Sequence, residues 1–260
     1  MPNGKSFFRL DNKVAIITGA SRGIGRSIAI AYARYGAKVI VSSRKIDACE
    51  EVVDEIRSLG GEATATVANI SDKSSLEDLV RFSVATYGGI DILVCNAASN
   101  PFYGELKDIP DEAFEKILKN NILSNHWLSA LVSPHMFHSG GGSILIVSSI
   151  AGLKGSPGLG AYAVSKAADM QLIRNLAIEL GDKHIKVNGI APGLIKTDFA
   201  KALWEDSKIR GHYEEKTALK RLGDPDDIAG VALFLASEAS AYITGPVSYT
   251  HLTLPTILRV

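Results

Sequence analysis

Short runs of apolar and β-branched residues alternate with longer amphipathic stretches from residue 13 to about residue 245. This alternation is typical of repeated βαβ units packed around a parallel sheet. The apolar runs are nearly continuous, as in strands that are buried on both faces. The pattern predicts strands at KVAIITG, AKVIV, TATVA, DILVCNA, SILIVSS and IKVNGIA, and helices at about 23–35, 45–59, 73–87, 111–138, 158–180 and 224–236. We therefore predict the α/β class, as a single doubly wound domain with a mostly parallel sheet.

Charge and composition narrow the class of partner. The 28 basic and 28 acidic side chains cancel and form no long run of one sign, which argues against nucleic acid or anionic lipid. A small-molecule partner is favoured. No apolar stretch is long enough for a signal peptide or a membrane span, so we expect a cytoplasmic protein with no membrane partner.

Cysteine and histidine usage predicts no metal site. Cys49 and Cys95 each fall inside a predicted element rather than in a spaced cluster, and Cys95 is interpreted as a small buried hydrophobe. His135 and His138 lack a third ligand cluster, so we interpret them as surface residues.

A glycine cluster follows the first predicted strand. The strand runs directly into TGASRGIG, where Gly19, Gly23 and Gly25 allow a tight turn, and the next helix begins there. A helix N-terminus with free N–H groups favours a phosphate. The spacing GxxxGxG differs from the GxGxxG form but supplies the same physical elements, so we predict dinucleotide binding.

The end of the second strand predicts which dinucleotide binds. An acidic side chain there would accept hydrogen bonds from the adenosine ribose of NAD, but the segment reads VIVSSRK, with Ser42 and Ser43 in place of a carboxylate. Arg44 and Arg22 offer guanidinium donors suited to a 2′-phosphate. We expect NADP(H) to be preferred, with NAD(H) possible.

Tyr162 and Lys166 lie four residues apart in a predicted helix, so both side chains project from one face. A phenol with a reference pKa near 10 is a poor base at neutral pH, but a nearby ammonium favours the phenolate. This spacing permits Tyr162 to exchange a proton in general acid–base catalysis.

These motifs together resemble the short-chain dehydrogenase/reductase (SDR) family. TGASRGIG at 18–25, NAA at 96–98, VSS at 147–149 and YAVSK at 162–166 have the family's order and spacing, and VNGIAPGLIKT and RLGDPDDIA extend the resemblance to about residue 245. Within the family the chain resembles the carbonyl and retinol reductases of the SDR-family-member-4 type, and also bacterial 3-oxoacyl-ACP-reductase-like members. The resemblance implies a Rossmann-type domain, a seven-stranded parallel sheet and a homotetramer.

The resemblance also implies the catalytic roles. Tyr162 would be the proton donor or acceptor, Lys166 would bind the nicotinamide ribose, and Ser149 would hydrogen-bond the substrate oxygen as charge develops there. Ser148 is the neighbouring alternative, but strand alternation points it elsewhere. Asn121 matches the asparagine that holds a water for proton relay, whereas Asn120 stands at a usually apolar position.

The same resemblance implies which residues contact the cofactor. These residues are Gly19, Ser21, Arg22, Gly23, Ile24, Gly25, Ser43, Arg44, Asn69, Ile70, Asn96, Ala97, Tyr162, Lys166, Pro192, Gly193, Ile195 and Thr197. Two positions depart from the family pattern, because Ser99 replaces a usual glycine and Asn69 stands where aspartate often contacts adenine.

The chain divides into an arm at residues 1–10, the Rossmann-type domain at 11–245 and an atypical tail at 246–260. The stretch from Thr197 to Lys220 interrupts the βα alternation, so we expect a flexible lid over about 197–220. The tail includes VSYTHLTLPT, which resembles a translated sequencing adapter, and Pro246 and Pro255 would each deny a backbone donor to a strand. We expect the tail to be non-native and the seventh strand to be compromised.

Three functions are compatible with these residues. The first is NADPH-dependent reduction of a ketone or aldehyde, the second is NAD-dependent oxidation of an alcohol or hydroxysteroid, and the third is a dinucleotide-binding sensor without turnover. The filled catalytic positions favour an enzyme. Substrate identity is left open, with Phe102, Tyr103, Leu203 and Trp204 as candidate pocket residues that could equally serve packing.

Overall fold

The computed structural model describes residues 7–155 and 158–249, and it contains one parallel sheet of seven strands in the order β3-β2-β1-β4-β5-β6-β7. All strand pairs are parallel. The strands are β1 Val14–Thr18, β2 Lys38–Ser43, β3 Glu62–Val67, β4 Ile92–Cys95, β5 Gly142–Val147, β6 Ile185–Ala191 and β7 Val247–Tyr249. The six predicted strands and the doubly wound α/β class are confirmed.

Helices cover both faces of the sheet. They are α1 Gly23–Arg34, α2 Ile46–Ser58, α3 Lys73–Tyr87, α4 Asp111–Leu118, α5 Ser124–His138, α6 Gly160–Leu180, α7 Lys201–Trp204, α8 Ser207–Lys216 and α9 Pro225–Ala236, with 3₁₀ turns at Leu106–Asp108, Ile150–Leu153, Gly181–Lys183, Asp198–Ala200 and Glu238–Ser240. None of the helices in residues 7–155 and 158–249 combines the length and the apolar character that a membrane crossing requires.

Two apolar layers form because successive strand residues point to opposite faces. Ala15 and Ile17 of β1 pack with α1, α2 and α9 on one face, whereas Ile16 packs with α3, α5 and α6 on the other. The strand order reverses between β1 and β4, which leaves a crevice at their carboxyl ends. Ligands of open α/β sheets bind in such a crevice.

One predicted helix and the predicted lid differ in detail from the structure. The helix predicted over 111–138 is interrupted by a π-helical turn at Lys119–Leu123, which separates α4 from α5. The predicted lid at 197–220 contains a 3₁₀ turn, α7 and α8 rather than an irregular loop. Trp204 helps to anchor this segment, because its indole Nε1 donates to the Thr197 carbonyl at 2.8 Å.

The seventh strand corrects an expectation from the sequence. Val247–Tyr249 pairs in parallel with Gly189–Ala191 of β6, so the first residues of the tail continue the sheet. Pro246 does not prevent this pairing, because its carbonyl accepts a hydrogen bond from the Gly189 N–H at 3.0 Å. Residues 250–260 of the tail and 1–6 of the arm lie outside the described residues.

The start of α9 is held by a capping box. Asp224 is the N-cap residue, and the Asp227 carboxylate accepts from its backbone N–H at 2.8 Å. Arg221 donates two further hydrogen bonds to Asp227, at 2.6 and 2.8 Å. These donors, Arg221 first, lower the pKa of Asp227 to about 2.

We predict that Asp227→Asn destabilises the protein by about 0.5–1 kcal/mol at pH 7, a small value because the pair is solvent-screened. The folded pKa lies below the unfolded value of about 3.9, so this stabilisation is present above pH 4 and is lost as pH falls toward about 2. Thermal unfolding of both proteins across this pH range measures the difference.

Asp226→Asn is the matched control, because this neighbouring exposed carboxylate lies in the same helical turn. A stability difference between wild type and Asp227→Asn that stays constant down to pH 2 would contradict the assignment.

Candidate active site

The turn between β1 and α1 requires glycine at several positions. Gly19 and Gly23 have φ values of +64° and +55°, a region that residues with a Cβ seldom adopt. A Cβ on Gly25 would lie 2.4 Å from the Gly19 carbonyl oxygen and 2.6 Å from Asn96 Nδ2. The glycines therefore let the backbone turn sharply at the end of β1.

Asn96 fixes this turn to the neighbouring strand. Its Nδ2 donates to the carbonyls of Thr18 at 3.0 Å and Gly19 at 3.1 Å. The Thr18 hydroxyl in turn accepts from the N–H groups of Asn96 and Ala97, at 3.1 and 3.2 Å. The carboxyl ends of β1 and β4 are thus held together where the strand order reverses.

The first turn of α1 offers unpaired backbone N–H groups. Arg22 is the N-cap residue, and its side chain makes no capping hydrogen bond, so it leaves the first N–H groups of the helix for another acceptor. Ser21 and Ile24 are half-buried in this turn. Because a helix N-terminus carries a partial positive charge, its unpaired N–H groups fit an anionic group such as a phosphate.

The predicted adenosine-side residues lie at the ends of β2 and β3. Ser43 is half-buried and its hydroxyl lies 3.1 Å from Cys49 Sγ, while Arg44 is exposed. Arg22 Nη1 lies 3.4 Å from Asp198 of the lid in an exposed pair. Asn69 is exposed and accepts two hydrogen bonds from Ser71, and the neighbouring Ile70 is half-buried.

The residues predicted to contact nicotinamide follow β6. Pro192 accepts from the N–H of Ile150 at 3.1 Å, which joins this loop to the turn after β5, and Gly193 follows it. Ile195 is buried and forms an isolated parallel β-bridge with Gly223. Thr197 packs against the glycine turn. A Cβ added to Gly23 would lie only 3.1 Å from the Thr197 methyl group.

The structure brings Tyr162 and Lys166 together at the end of β5. Lys166 is 2% exposed, and its Nζ lies 5.7 Å from the centroid of the Tyr162 ring. The Val147 carbonyl accepts from Nζ at 2.9 Å. The lysine ammonium is therefore bound to the last residue of β5, immediately before the two serines.

The two serines after β5 differ in environment. Ser148 is buried and donates to the Lys166 carbonyl at 2.8 Å, so it ties β5 to α6. Ser149 is half-buried, and its hydroxyl accepts from the Ala151 N–H at 3.1 Å. Ser149 thus retains its own O–H as a donor to another group.

Asn121 lies in the π-helical turn, a feature that often marks functional sites. Its side chain is fully buried, accepts from the Ser99 N–H at 2.9 Å and donates to Ser165 of α6 at 3.0 Å. Asn120 donates to the Ser99 hydroxyl at 3.0 Å. The Ser99 hydroxyl, which a glycine would lack, therefore binds Asn120, whereas Asn121 is held by the Ser99 backbone.

The structure adds two buried polar residues that we did not predict. Asp169 is 3.0 Å from Lys166 Nζ, and Asn125 Nδ2 donates to its other carboxylate oxygen at 2.9 Å. Asp169 follows Lys166 by three positions on a helix, and this spacing is the sequence signal that could have found it.

Burial and charge act together on this pair. Burial by itself would lower the pKa of Lys166, but Asp169 and then the Tyr162 phenol outweigh it, so the pKa lies above its ordinary value. Burial raises the pKa of Asp169, and the hydrogen bonds from Lys166 and Asn125 oppose that rise. The ammonium is the member of the pair that keeps its proton.

One aromatic side chain lies beside Tyr162, and the four predicted pocket residues lie in the loop after β4 and in the lid segment. The Phe199 ring, which the sequence did not single out, lies 6.2 Å from the Tyr162 ring between centroids. Tyr103 is 67% exposed and its ring would meet a Cβ on Gly158, while Phe102, Leu203 and Trp204 are half-buried. These side chains form candidate walls for a partly apolar ligand.

No group of three or more possible metal ligands occurs within residues 7–155 and 158–249. His138 is exposed and His135 half-buried near the end of α5. Burial raises the pKa of both Cys49 and Cys95, so neither thiol is activated as a nucleophile.

Residues 19–251 match the family model described as Enoyl-(Acyl carrier protein) reductase. The chain belongs to the short-chain dehydrogenase/reductase family. The resemblance that the four motifs indicated is confirmed, and so is the oxidoreductase class that acts on CH–OH groups.

Named SDR relatives cover nearly the whole chain. Dehydrogenase/reductase SDR family member 4 from Bos taurus is 44% identical over 236 residues, which span 91% of this chain and 85% of the relative. A solved 7α-hydroxysteroid dehydrogenase in complex with NADH and 7-oxo glycochenodeoxycholic acid is 42% identical, with a TM-score of 0.91 and 95% of each chain covered. A solved structure from Beutenbergia cavernae with bound NADP at low occupancy is 33% identical, with a TM-score of 0.90 and 94% and 97% covered. SDR relatives therefore bind either dinucleotide.

We predict that Gly25→Ala lowers the free energy of unfolding by about 1–3 kcal/mol, because the added Cβ overlaps backbone and Asn96. It also weakens dinucleotide binding by distorting the glycine turn. Urea unfolding and nucleotide titration measure the two effects.

Gly230→Ala is the matched control, since this exposed glycine lies in α9 with open space around its Cα. The Gly230→Ala substitution should stabilise the protein by about 0.5–1 kcal/mol. Equal stability of Gly25→Ala and wild type would show that the turn does not need glycine at this position.

Proposed function

We propose that the protein reduces a ketone or aldehyde reversibly to an alcohol with NADP(H), and that Tyr162 is the general acid and base. The observation that carries the proposal is the buried Lys166 ammonium beside the Tyr162 ring, at the strand end that Ser149 follows. These residues stand at the carboxyl ends of the strands, where open α/β sheets bind ligands.

Each side chain has a separate task in this proposal. The Tyr162 hydroxyl donates its proton to the substrate oxygen during reduction and takes it back during oxidation. Ser149 donates a hydrogen bond to the same oxygen, where negative charge develops. Lys166 stabilises the phenolate electrostatically, and Asn121 connects the site through Ser165 to the helix that carries Tyr162.

The glycine turn, the start of α1 and the loop after β6 would hold the dinucleotide. Gly19, Gly23 and Gly25 would let the backbone approach the pyrophosphate, and Ile195 and Thr197 would contact the nicotinamide. When bound, the nicotinamide supplies the hydride for reduction and accepts it in oxidation.

A preference for NADP(H) is supported by the residues after β2. The strand ends in Ser42 and Ser43, neither of which offers the carboxylate that an unphosphorylated ribose favours. Arg44 is exposed beside them, and Arg22 has only an exposed partner in Asp198. Both guanidinium groups are available for a 2′-phosphate.

NAD-dependent oxidation of an alcohol or hydroxysteroid is the second candidate. It is supported by the 42% identical relative that was solved with NADH and a bile-acid derivative. A partly apolar entrance with Phe102, Phe199 and Trp204 is compatible with such a ligand. The two candidates differ in the dinucleotide that gives the higher kcat/KM.

The first experiment titrates the purified protein with NADPH and NADH by fluorescence and then adds a panel of aldehydes, ketones and oxo-steroids. Turnover is followed at the absorbance of the reduced nicotinamide. Turnover with NADPH supports the proposal. Binding without turnover favours the sensor alternative, and folded protein that binds neither dinucleotide would exclude the proposal.

A homotetramer and a cytoplasmic location are also part of this proposal. Exposed apolar side chains on α5 and α6 support association, including Phe137 at 60% and Ile178 at 83% exposure. The free, buried cysteines are compatible with a reducing compartment. Light scattering of the purified protein measures the assembly.

We predict that Tyr162→Phe lowers kcat by about 10²–10⁴-fold, because the phenylalanine ring has no proton to exchange. The Kd for NADPH should stay within about threefold, since the ring itself is retained. Steady-state kinetics and fluorescence titration measure the two constants.

Tyr242→Phe is the control for loss of a phenol, because Tyr242 is fully exposed. If Tyr162→Phe retained more than about a tenth of wild-type turnover, another group would have to supply the proton.

We predict that Arg44→Ala raises the Kd for NADPH by about 10–100-fold and changes the Kd for NADH by less than about threefold, because a charge-assisted hydrogen bond to phosphate is worth about 1.5–3 kcal/mol. Arg34→Ala, at the far end of α1, is the control for loss of one exposed arginine. Equal weakening toward both dinucleotides would argue against a 2′-phosphate contact.

A further inference from the structure

The catalytic lysine lies in an environment that does not favour a charge. Lys166 is 2% exposed, so bulk solvent has almost no access to its ammonium. Burying an unpaired ammonium costs so much free energy that such a lysine usually loses its proton instead. The role proposed for Lys166 requires the charged form, and some neighbour must therefore stabilise it.

Asp169 is that neighbour. Its carboxylate is fully buried, and one oxygen accepts from Lys166 Nζ at 3.0 Å. The Val147 carbonyl accepts a second hydrogen bond from the ammonium at 2.9 Å. Since an ammonium has three donors, these two contacts leave one for another group.

Asn125 fixes the carboxylate from the adjacent helix. Its Nδ2 donates to the second oxygen of Asp169 at 2.9 Å and also to the Asn121 carbonyl at 2.6 Å. The second contact joins α5 to the π-helical turn, because Asn125 belongs to α5 and Asn121 to the turn. Asp169, which lies on the same helix as Tyr162, is thus connected through Asn125 to the turn that carries Asn121.

We propose that Asp169 is a positioning residue that keeps Lys166 charged and fixes its ammonium between β5 and Tyr162. The inference rests on the proposed function, in which the charge on Lys166 stabilises the Tyr162 phenolate. Asp169 acts only through Lys166, and Asn125 acts only by orienting Asp169.

The other groups that act on the pair do not replace Asp169. Tyr162 faces Lys166 from the same helix, and Cys95 faces the pair from β4. The Cys95 thiol stays neutral because burial raises its pKa. Asn125 of α5 and the Val147 carbonyl of β5 are uncharged. Within the described ranges, Asp169 is therefore the one carboxylate that acts directly on Lys166.

The first test removes the charge with the near-isosteric Asp169→Asn. The titration of the Lys166 side chain is followed by ¹³C and ¹⁵N NMR, with its signal assigned by comparison with Lys166→Met. We expect the pKa of Lys166 to fall by at least one pH unit. Glu179→Gln is the matched control, because it removes an exposed carboxylate from the same helix and should leave that pKa unchanged.

The second readout is the pH profile of turnover. At a pH below the lowered lysine pKa, the variant should keep kcat within a fewfold of wild type. Above it, the ratio of variant to wild-type kcat should fall about tenfold per pH unit, because one proton leaves the lysine. Asp169→Glu retains the charge and should remove this pH dependence.

A purely structural role gives different results. An equal loss of kcat at every pH, or an unchanged lysine titration, would overturn the proposal. Circular dichroism checks that Asp169→Asn is folded. If it is not, titration of Lys166 in wild type remains decisive, because a lysine that is already neutral at pH 7 would overturn the proposal. The NMR titration needs no turnover, so a shifted lysine in a protein that reduces no carbonyl would refute the proposed function and not this inference.

Discussion

The contact between the Lys166 ammonium and the Val147 carbonyl connects the main parts of this protein. It joins the end of a central strand to the helix that carries Tyr162, and it does so where Ser148 binds the backbone of the same lysine. These two bonds hold the helix that carries Tyr162 against the strand end that Ser149 follows. The buried Lys166 ammonium therefore connects the strand to the helix and also places a positive charge near Tyr162.

The second junction, at the end of β1, consists of uncharged groups. Asn96 and Thr18 exchange hydrogen bonds across the point where the strand order reverses, and the glycine turn lies directly over them. Positive φ values make glycine necessary there, whereas the amide of Asn96 replaces the backbone partners that a sharp turn leaves unsatisfied. The two junctions stand at neighbouring strand ends, so the phosphate binding and the proton transfer that we propose would share the carboxyl edge of the sheet.

The sequence could predict the features that depend on local pattern. Apolar runs identified β1, β2, β4, β5 and β6, because strands buried on both faces leave a strong hydrophobic signal, and alternation with β-branched residues identified the half-exposed edge strand β3. Four spaced motifs identified the family. The π-helical turn escaped prediction, since its Asn120 and Asn121 side chains bind Ser99, which lies in another part of the sequence. Asp169 was missed because an acidic residue on a helix is usually exposed. The seventh strand was misjudged, because Pro246 supplies an acceptor and its missing donor is not needed.

The position of Trp204 makes its intrinsic fluorescence sensitive to the conformation of the lid segment. The chain has two tryptophans, and only this one lies in the segment between β6 and α9. Its indole N–H is bonded to the Thr197 carbonyl, beside the glycine turn, whereas Trp127 lies half-buried in α5. Indole emission depends on what the ring nitrogen contacts and on access to water. A rearrangement of this segment that breaks the indole hydrogen bond therefore shifts the emission wavelength of Trp204. Trp127 lies outside the segment and contributes a constant emission.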